Sequence, residues 1–135
     1  MKIDGSCHCG AICYEADINP KSVGICHCTD CQIFSGSAFR ITAPVPREQF
    51  RLLQGTPRIY IKTAESGNQR AQAFCADCGT ALYATSVSDP KVYGVRVSTS
   101  RQRAQLPPHR QIWCRSALPW VNDLAGIATR IDKQG

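Results

Sequence analysis

The chain has 135 residues, of which 43% are hydrophobic and 19% charged, and its formal net charge is +6. This length suits one domain that buries a modest core of its own. No apolar run approaches the roughly 18 residues of a membrane span, and the first residues, MKIDGSC, contain no apolar export signal. We therefore expect a cytoplasmic protein without a membrane segment.

Short segments with alternating apolar and polar side chains predict β-strands along the chain. In the first of them Ile12, Tyr14 and Ala16 alternate with other residues, a period of two that is typical of a half-buried strand. Frequent turn residues between the segments favour antiparallel sheets over a parallel α/β fold. The predicted strands are Ala11–Asp17, Ser37–Thr42, Arg51–Leu53, Pro57–Thr63, Arg70–Phe74, Ala81–Thr85, Val92–Ser98 and Gln111–Cys114.

Two local signals add detail to this pattern. The segment Ser66–Asn68 predicts the turn of a hairpin whose second arm leads to Cys75 and Cys78. A short helix is predicted to start with a capping box formed by Thr29 and Gln32.

The predicted helix would end at Gly36, a residue suited to the left-handed exit of a helix. Cys31 would then lie in its first turn, where free backbone amides favour a thiolate.

Seven of the nine cysteines lie in three tight clusters. Thiolates one or two residues apart can share one zinc ion, which binds four ligands in a tetrahedron. Disulfides are disfavoured by the odd number of cysteines, the missing export signal and clusters too tight for internal pairing. The clusters are Cys7 with Cys9, then Cys26, Cys28 and Cys31, and finally Cys75 with Cys78.

Flanking residues suggest how the seven thiols divide between two zinc ions. Gly10 and Gly79 directly follow the first and third clusters, whereas Gln32 follows the middle one. Glycine there allows the left-handed backbone that turns amides toward sulfur. The first and third clusters are thus predicted to form one four-sulfur site, although spacing alone leaves open which pairs meet.

The middle cluster would then be a three-sulfur site that can accept water or a substrate atom as its fourth ligand. Alternate residues of an extended chain face the same way, so His8 and His27 should point away from the neighbouring sulfurs. Each is expected to be a surface residue or a hydrogen-bond donor near its site. His109, in a proline-bounded loop, is a remaining candidate for fourth ligand or base.

The two other cysteines and the basic residues have simpler interpretations. Cys13 and Cys114 are expected to pack as small apolar side chains, with an approach of Cys114 to the three-sulfur site as the alternative. Arginines concentrate in the C-terminal third, either as a solvated face or as a rim that attracts a small anion. Nucleic acid is disfavoured because stacking aromatics are not interleaved with them. These arginines are Arg96, Arg101, Arg103, Arg110 and Arg115.

The motifs resemble the glutathione-dependent formaldehyde-activating enzyme family, which also includes centromere protein V-like proteins. The similarity covers nearly the whole chain. It implies a mainly β fold, a β-tent of antiparallel sheets with short helical turns that is stapled by zinc. The family-like domain would span residues 1–122, with a polar tail at 123–135. The matching segments are Gly5–Ala11, Cys26–Cys31, Gly36–Phe39, Phe74–Thr80, Ile112–Trp113 and Pro119–Val121.

The resemblance also implies two zinc ions per chain and the joining of glutathione to formaldehyde. Family members often carry histidine before the Ile-Trp pair, where this chain has Gln111, with His109 two residues earlier. By resemblance, structural zinc is held by Cys7, Cys9, Cys75 and Cys78. Catalytic zinc is held by Cys26, Cys28 and Cys31.

Two functional hypotheses follow from the residues and the resemblance. The first is a zinc-dependent carbon–sulfur lyase-type enzyme that acts on adducts of a small aldehyde with glutathione or a similar thiol. The alternative is a non-catalytic zinc module that binds a partner, such as nucleic acid, through the basic C-terminal third.

Overall fold

The structure is a computed structural model that describes residues 1–134. Within that range the chain forms ten β-strands, one α-helix and several short 3₁₀ turns. The strands are β1 Lys2–Ser6, β2 Cys13–Asp17, β3 Gly24–Cys26, β4 Arg40–Pro46, β5 Phe50–Gln54, β6 Arg58–Thr63, β7 Gln69–Phe74, β8 Ala81–Ser86, β9 Val92–Val95 and β10 Arg110–Ile112. The helix α1 is Thr29–Ser35.

The strands form two sheets, in the orders β1-β2-β5 and β10-β3-β4-β9-β8-β7-β6. Neighbouring strands are antiparallel except β10, which runs parallel to β3. The predicted mainly β fold of antiparallel sheets is therefore confirmed, with one parallel pair in addition. Gly24 lies close to this partner strand: a Cβ there would lie 2.9 Å from Cγ of Arg110, so a larger residue would require the Arg110 side chain to shift.

The two sheets bury a common core of aliphatic and aromatic side chains. Val23, Val45 and Val95 are fully buried, and each such side chain stabilises the fold by about 1.5–3 kcal/mol relative to exposure. Phe50 stacks on Tyr93 with ring centroids 4.9 Å apart. This core fixes the relative positions of the strands that carry the cysteines.

The predicted strands are present with shifted ends, but two further strands, β1 and β3, were not predicted. The segment predicted as Ser37–Thr42 forms β4 at Arg40–Pro46. Its two prolines are tolerated because β3 pairs only with the first three residues of β4, so both prolines border a single strand. The segment predicted to run to Ser98 leaves the sheet after Val95 and continues as a 3₁₀ turn.

The helix α1 has the predicted position but a different cap. Its N-cap is Cys28, whose Sγ accepts a hydrogen bond of 3.4 Å from the backbone N–H of Cys31. The Gln32 side-chain amide instead donates to the carbonyl oxygens of His27 and Ser116, at 2.9 and 3.0 Å. The predicted capping box is therefore wrong, because a sulfur atom takes the capping role.

The C-terminal end of α1 and the hairpin have the predicted form. Gly36 ends the helix in the left-handed region, with φ of 60°. Strands β6 and β7 pair through their full length, and their turn is closed by a hydrogen bond from the Ala64 N–H to the Asn68 carbonyl oxygen at 2.7 Å. Both expectations are confirmed.

Beyond Val121, residues 123–134 form turns and bends without a helix, and their side chains are exposed. No helix within residues 1–134 has both the length and the apolar character needed to cross a membrane.

Candidate metal centres

Four sulfur atoms meet where the loop after β1 contacts the loop after β7. All their Sγ atoms lie within 4.8 Å of one another, with Cys9 Sγ 3.6 Å from Cys7 Sγ and 3.7 Å from Cys75 Sγ. A zinc ion with four sulfurs at about 2.3 Å sets them about 3.8 Å apart in a tetrahedron. The observed spacing fits zinc. The four residues are Cys7, Cys9, Cys75 and Cys78.

Two tight turns bring these sulfurs together. Gly10 and Gly79 have φ of 82° and 79°, and the Gly79 N–H donates to the Cys75 carbonyl oxygen at 2.8 Å. The turns are joined by the backbone N–H of His8, which donates to Thr80 Oγ1 at 3.1 Å. Left-handed backbone at both glycines is therefore part of the site.

The surroundings of these thiols favour a mixed protonation state without metal. Hydrogen bonds from the Thr80 hydroxyl and from backbone amides lower the pKa of Cys78 to about 5. A hydrogen bond from the Ala11 amide lowers the pKa of Cys9, but the neighbouring sulfurs, Cys7 first among them, raise it to about 12. Metal binding would displace the remaining protons.

The second group of sulfurs lies at the start of α1. Cys26 is the last residue of β3, Cys28 caps the helix and Cys31 lies in its first turn. Their Sγ atoms also lie within 4.8 Å of one another, and no fourth His, Cys, Asp or Glu within residues 1–134 joins them. Cys26 and Cys31 are buried, whereas Cys28 is partly exposed.

A cation from the sheet contacts this group. Arg40 Nε donates to Cys31 Sγ at 3.0 Å, and Nη1 donates to Thr42 Oγ1 at 2.9 Å. Burial raises the pKa of Cys31 and Arg40 lowers it, but the sulfurs of Cys28 and Cys26 bring it to about 12. Burial lowers the pKa of Arg40, yet the neighbouring Cys31 and Cys26 raise it above its ordinary value. Cysteine sulfurs are ligands that zinc prefers, and zinc would bind the three as thiolates.

Comparison with known proteins identifies the family. The family model described as glutathione-dependent formaldehyde-activating enzyme matches residues 2–116. The chain belongs to this family. A crystal structure of a Rhodobacter sphaeroides protein has a similar fold, with a TM-score of 0.62 and 22% sequence identity over 80% of this chain and 98% of that one.

In this family member the histidines contribute to neither group of sulfurs. His27 is buried, its Nε2–H donates to Gln111 Oε1 at 2.7 Å, and its ring packs edge-on against Phe39. It is therefore a hydrogen-bonded core residue beside the three-sulfur group, held in one orientation. His8 and His109 are exposed and belong to neither metal-ligating group.

The two remaining cysteines lie outside both groups. Cys13 is partly buried, and its thiol donates to the Gly10 carbonyl oxygen at 3.6 Å. Cys114 is exposed, so the prediction that it packs in the interior is wrong. Trp113 adopts a left-handed conformation with φ of 56°, which ends β10 and puts Cys114 in a surface 3₁₀ turn.

A cavity of about 730 Å³ opens beside the three-sulfur group. Cys28 lines it, together with Trp113 and Arg115, whose guanidinium lies 5.0 Å from the centre of the Trp113 ring. Lys62 and Asp30, which form an ion pair of 2.6 Å, also line the cavity. The cavity therefore borders Cys28, the partly exposed member of the three-sulfur group.

Four of the five C-terminal arginines are engaged within the chain. Arg101 forms an ion pair with Asp4, Arg115 lies over Trp113, and Arg96 is buried. Arg103 Nη1 donates to the Ser100 carbonyl oxygen at 3.1 Å. The arginines do not all belong to one solvated face. Sequence reasoning assigned no role to Arg40, although a cation only nine residues after Cys31 is a usable signal.

Proposed function

We propose that the protein is a zinc-dependent carbon–sulfur lyase-type enzyme that joins glutathione, or a similar small thiol, to formaldehyde or another small aldehyde. Family membership supports the substrate classes. The observation that carries the proposal is the three-sulfur group, which borders a cavity through Cys28 and includes no fourth protein ligand among the described residues.

In this proposal the chain holds two zinc ions with different roles. A closed four-ligand site is typical of structural zinc, and a three-ligand site is typical of catalytic zinc. The structural ion is assigned to Cys7, Cys9, Cys75 and Cys78. The catalytic ion is assigned to Cys26, Cys28 and Cys31.

The proposed reaction is an addition that needs no oxidant or reductant. The thiol sulfur bonds to the carbonyl carbon, the π electron pair moves to the carbonyl oxygen, and the thiol proton is transferred to that oxygen. Cleavage of the adduct is the reverse. Zinc bound by three sulfurs would supply Lewis acidity, which favours a thiolate or polarises a carbonyl.

The protein's own groups hold the sulfurs in place for this chemistry. Arg40 fixes Cys31 through Nε, and the Cys31 amide fixes Cys28. The hydrogen bond from His27 to Gln111 ties the segment between Cys26 and Cys28 to β10. Such supporting hydrogen bonds orient metal ligands and tune their basicity.

Exchange NMR of glutathione with formaldehyde, with and without zinc-loaded protein, tests the proposal. We expect faster adduct exchange than in the spontaneous reaction. Cys31→Ala should abolish the acceleration and lower the zinc content from two ions to one, while the protein stays folded. Cys114→Ala removes an exposed thiol outside both groups and is the matched control. No acceleration by fully loaded protein would contradict the lyase assignment.

The alternative of a non-catalytic module remains a prediction with a separate test. It requires retention on nucleic acid that weakens steeply between low and physiological salt. A cytoplasmic location would suit the enzyme, because glutathione keeps thiols reduced there.

A further inference from the structure

Three arginines converge on the face of the larger sheet that α1 covers. Arg96 Nη2 donates to Gln72 Oε1 at 3.1 Å, and Arg70 lies two residues before Gln72 on β7, so both β7 side chains share that face. A Cβ on Gly94 would lie 4.0 Å from Arg40 Nη1, which places Arg40 over the neighbouring strand β9. We call Arg40, Arg70 and Arg96 the arginine cluster.

Helix α1 lies over this face on the side of β6. The ring of Phe34 lies 6.0 Å from that of Tyr60, and Tyr60 is the register partner of Gln72. Because Arg40 also contacts Cys31 in the first turn of α1, the arginine cluster and the three-sulfur group lie on the same side of the sheet.

Arg96 is the unusual member of the cluster. The residue is only 9% exposed, and Nη1 is buried without a hydrogen-bond acceptor among the described residues. Leaving a buried donor of a charged group without a partner costs free energy, because the hydrogen bonds it made to water are lost and not replaced. Native proteins rarely keep such a donor without a reason.

A cavity of about 400 Å³ lies between α1 and the sheet, and Arg96 lines it. Gln72 and Tyr60 are the other lining side chains with polar atoms, and the rest of the wall is built from apolar residues such as Ile33, Phe34 and Phe74. A mostly apolar wall with one or two fixed polar groups is typical of small-molecule sites.

The charge of the cluster is not balanced by carboxylates. None of the ion pairs within residues 1–134 includes Arg40, Arg70 or Arg96. Three thiolates with one divalent ion would carry about −1, which leaves the three arginines with an excess of about +2. Burial and the charge of Arg40 lower the pKa of Arg96 to about 10, so Arg96 stays protonated at neutral pH.

We propose that this cavity is an anion subsite in which Arg96 binds a carboxylate of the thiol substrate. The enzyme would then select thiols that also carry an acid group. A planar guanidinium suits a carboxylate because it can donate two parallel hydrogen bonds. Arg40 and Arg70 add positive charge around the site. This inference rests on the proposed thiol–aldehyde function, but it assigns the recognition of the acid group to a specific residue.

The first test measures binding without turnover. Zinc-loaded protein is titrated at pH 7 with 3-mercaptopropionate and with 3-mercaptopropionamide, in the absence of aldehyde, by isothermal titration calorimetry. The two probes have nearly the same shape and thiol, and they differ in the charge of the acid group. We expect the carboxylate to bind at least about tenfold more tightly, the scale of a hydrogen bond between charged groups. Equal affinities would overturn the proposal.

The second test assigns the preference to Arg96. Arg96→Gln should bring the two affinities within about twofold of each other, and Arg96→Lys should keep part of the preference because it keeps the charge. Arg130→Gln makes the same change of charge at an exposed tail residue and should keep the full preference. If Arg96→Gln loses zinc but keeps the preference, Arg96 only balances the charge of the sulfurs and the proposal is wrong.

The titration also separates this inference from the proposed function. A carboxylate preference without any acceleration of adduct formation would support the subsite and remove the lyase assignment. Acceleration of adduct formation without a carboxylate preference would support the lyase assignment and remove the subsite. The wild-type comparison stays valid even if Arg96→Gln does not fold.

Discussion

The two groups of sulfurs use the same ligand chemistry in different surroundings. In the four-sulfur group the hydrogen bonds to sulfur come from backbone amides and from the Thr80 hydroxyl. In the three-sulfur group a charged side chain, Arg40, contacts Cys31, and two cavities border α1. This difference supports the proposed division of roles, in which the four-sulfur group stabilises the fold and the three-sulfur group receives the substrate.

Loss of a sulfur from the four-sulfur group should have the largest effect. We expect Cys75→Ala to unfold the protein, because a structural zinc site contributes on the order of 10 kcal/mol, comparable to the whole stability of a domain. Circular dichroism and NMR dispersion with zinc present would show this. If Cys75→Ala stays folded while Cys31→Ala unfolds, the roles of the two groups are reversed.

Removing the positive charge of Arg40 should weaken zinc binding only at the three-sulfur group. Arg40→Gln is expected to lower its zinc affinity about 10–100-fold, the usual effect of losing a supporting contact to a metal ligand. Chelator competition followed by zinc release measures both sites in one experiment. Thr42→Val, which removes only the acceptor of Arg40 Nη1, should have a smaller effect. An equal loss of affinity at the four-sulfur group would contradict the assignment of Arg40.

The smallest expected effect on stability comes from replacing one glycine near each group of sulfurs. Gly79→Ala and Gly36→Ala each put a side chain at positive φ, and a Cβ at either position meets no atom within 4 Å. Each should therefore lower the free energy of unfolding by about 1–2 kcal/mol through backbone strain alone. Gly79→Ala should also weaken the four-sulfur site in the chelator assay, whereas Gly36→Ala should leave it unchanged. Denaturant unfolding of both variants with zinc bound supplies the stability values.

Much of the fold was predictable because its signals are local. Strand alternation around Tyr14, the hairpin turn at Gly67 and the helix exit at Gly36 depend on residues close in sequence, and the structure confirms all three. The cap of α1 was predicted at the wrong residue, since Thr29 matched a common motif while the Cys28 sulfur accepts the amide hydrogen bond.

Contacts between side chains that are brought together by the pairing of distant strands could not be predicted. Arg40 and Arg96 meet the same face only because β4 and β9 pair in one register. The parallel pairing of β3 with β10 joins segments more than 80 residues apart, as does the hydrogen bond from His27 to Gln111. No short-range pattern specifies such contacts, so the polar surroundings of the sulfurs became visible only in three dimensions.

The sequence positions of the two groups also set an order of events during synthesis on the ribosome. Cys26 to Cys31 emerge together and can converge as soon as the first turn of α1 forms. The partners Cys9 and Cys75 are 66 residues apart, so their group closes a long loop, with the larger entropic cost that such closure carries. A nascent chain can therefore form the three-sulfur group well before the four-sulfur group, whose closure stabilises the tertiary structure.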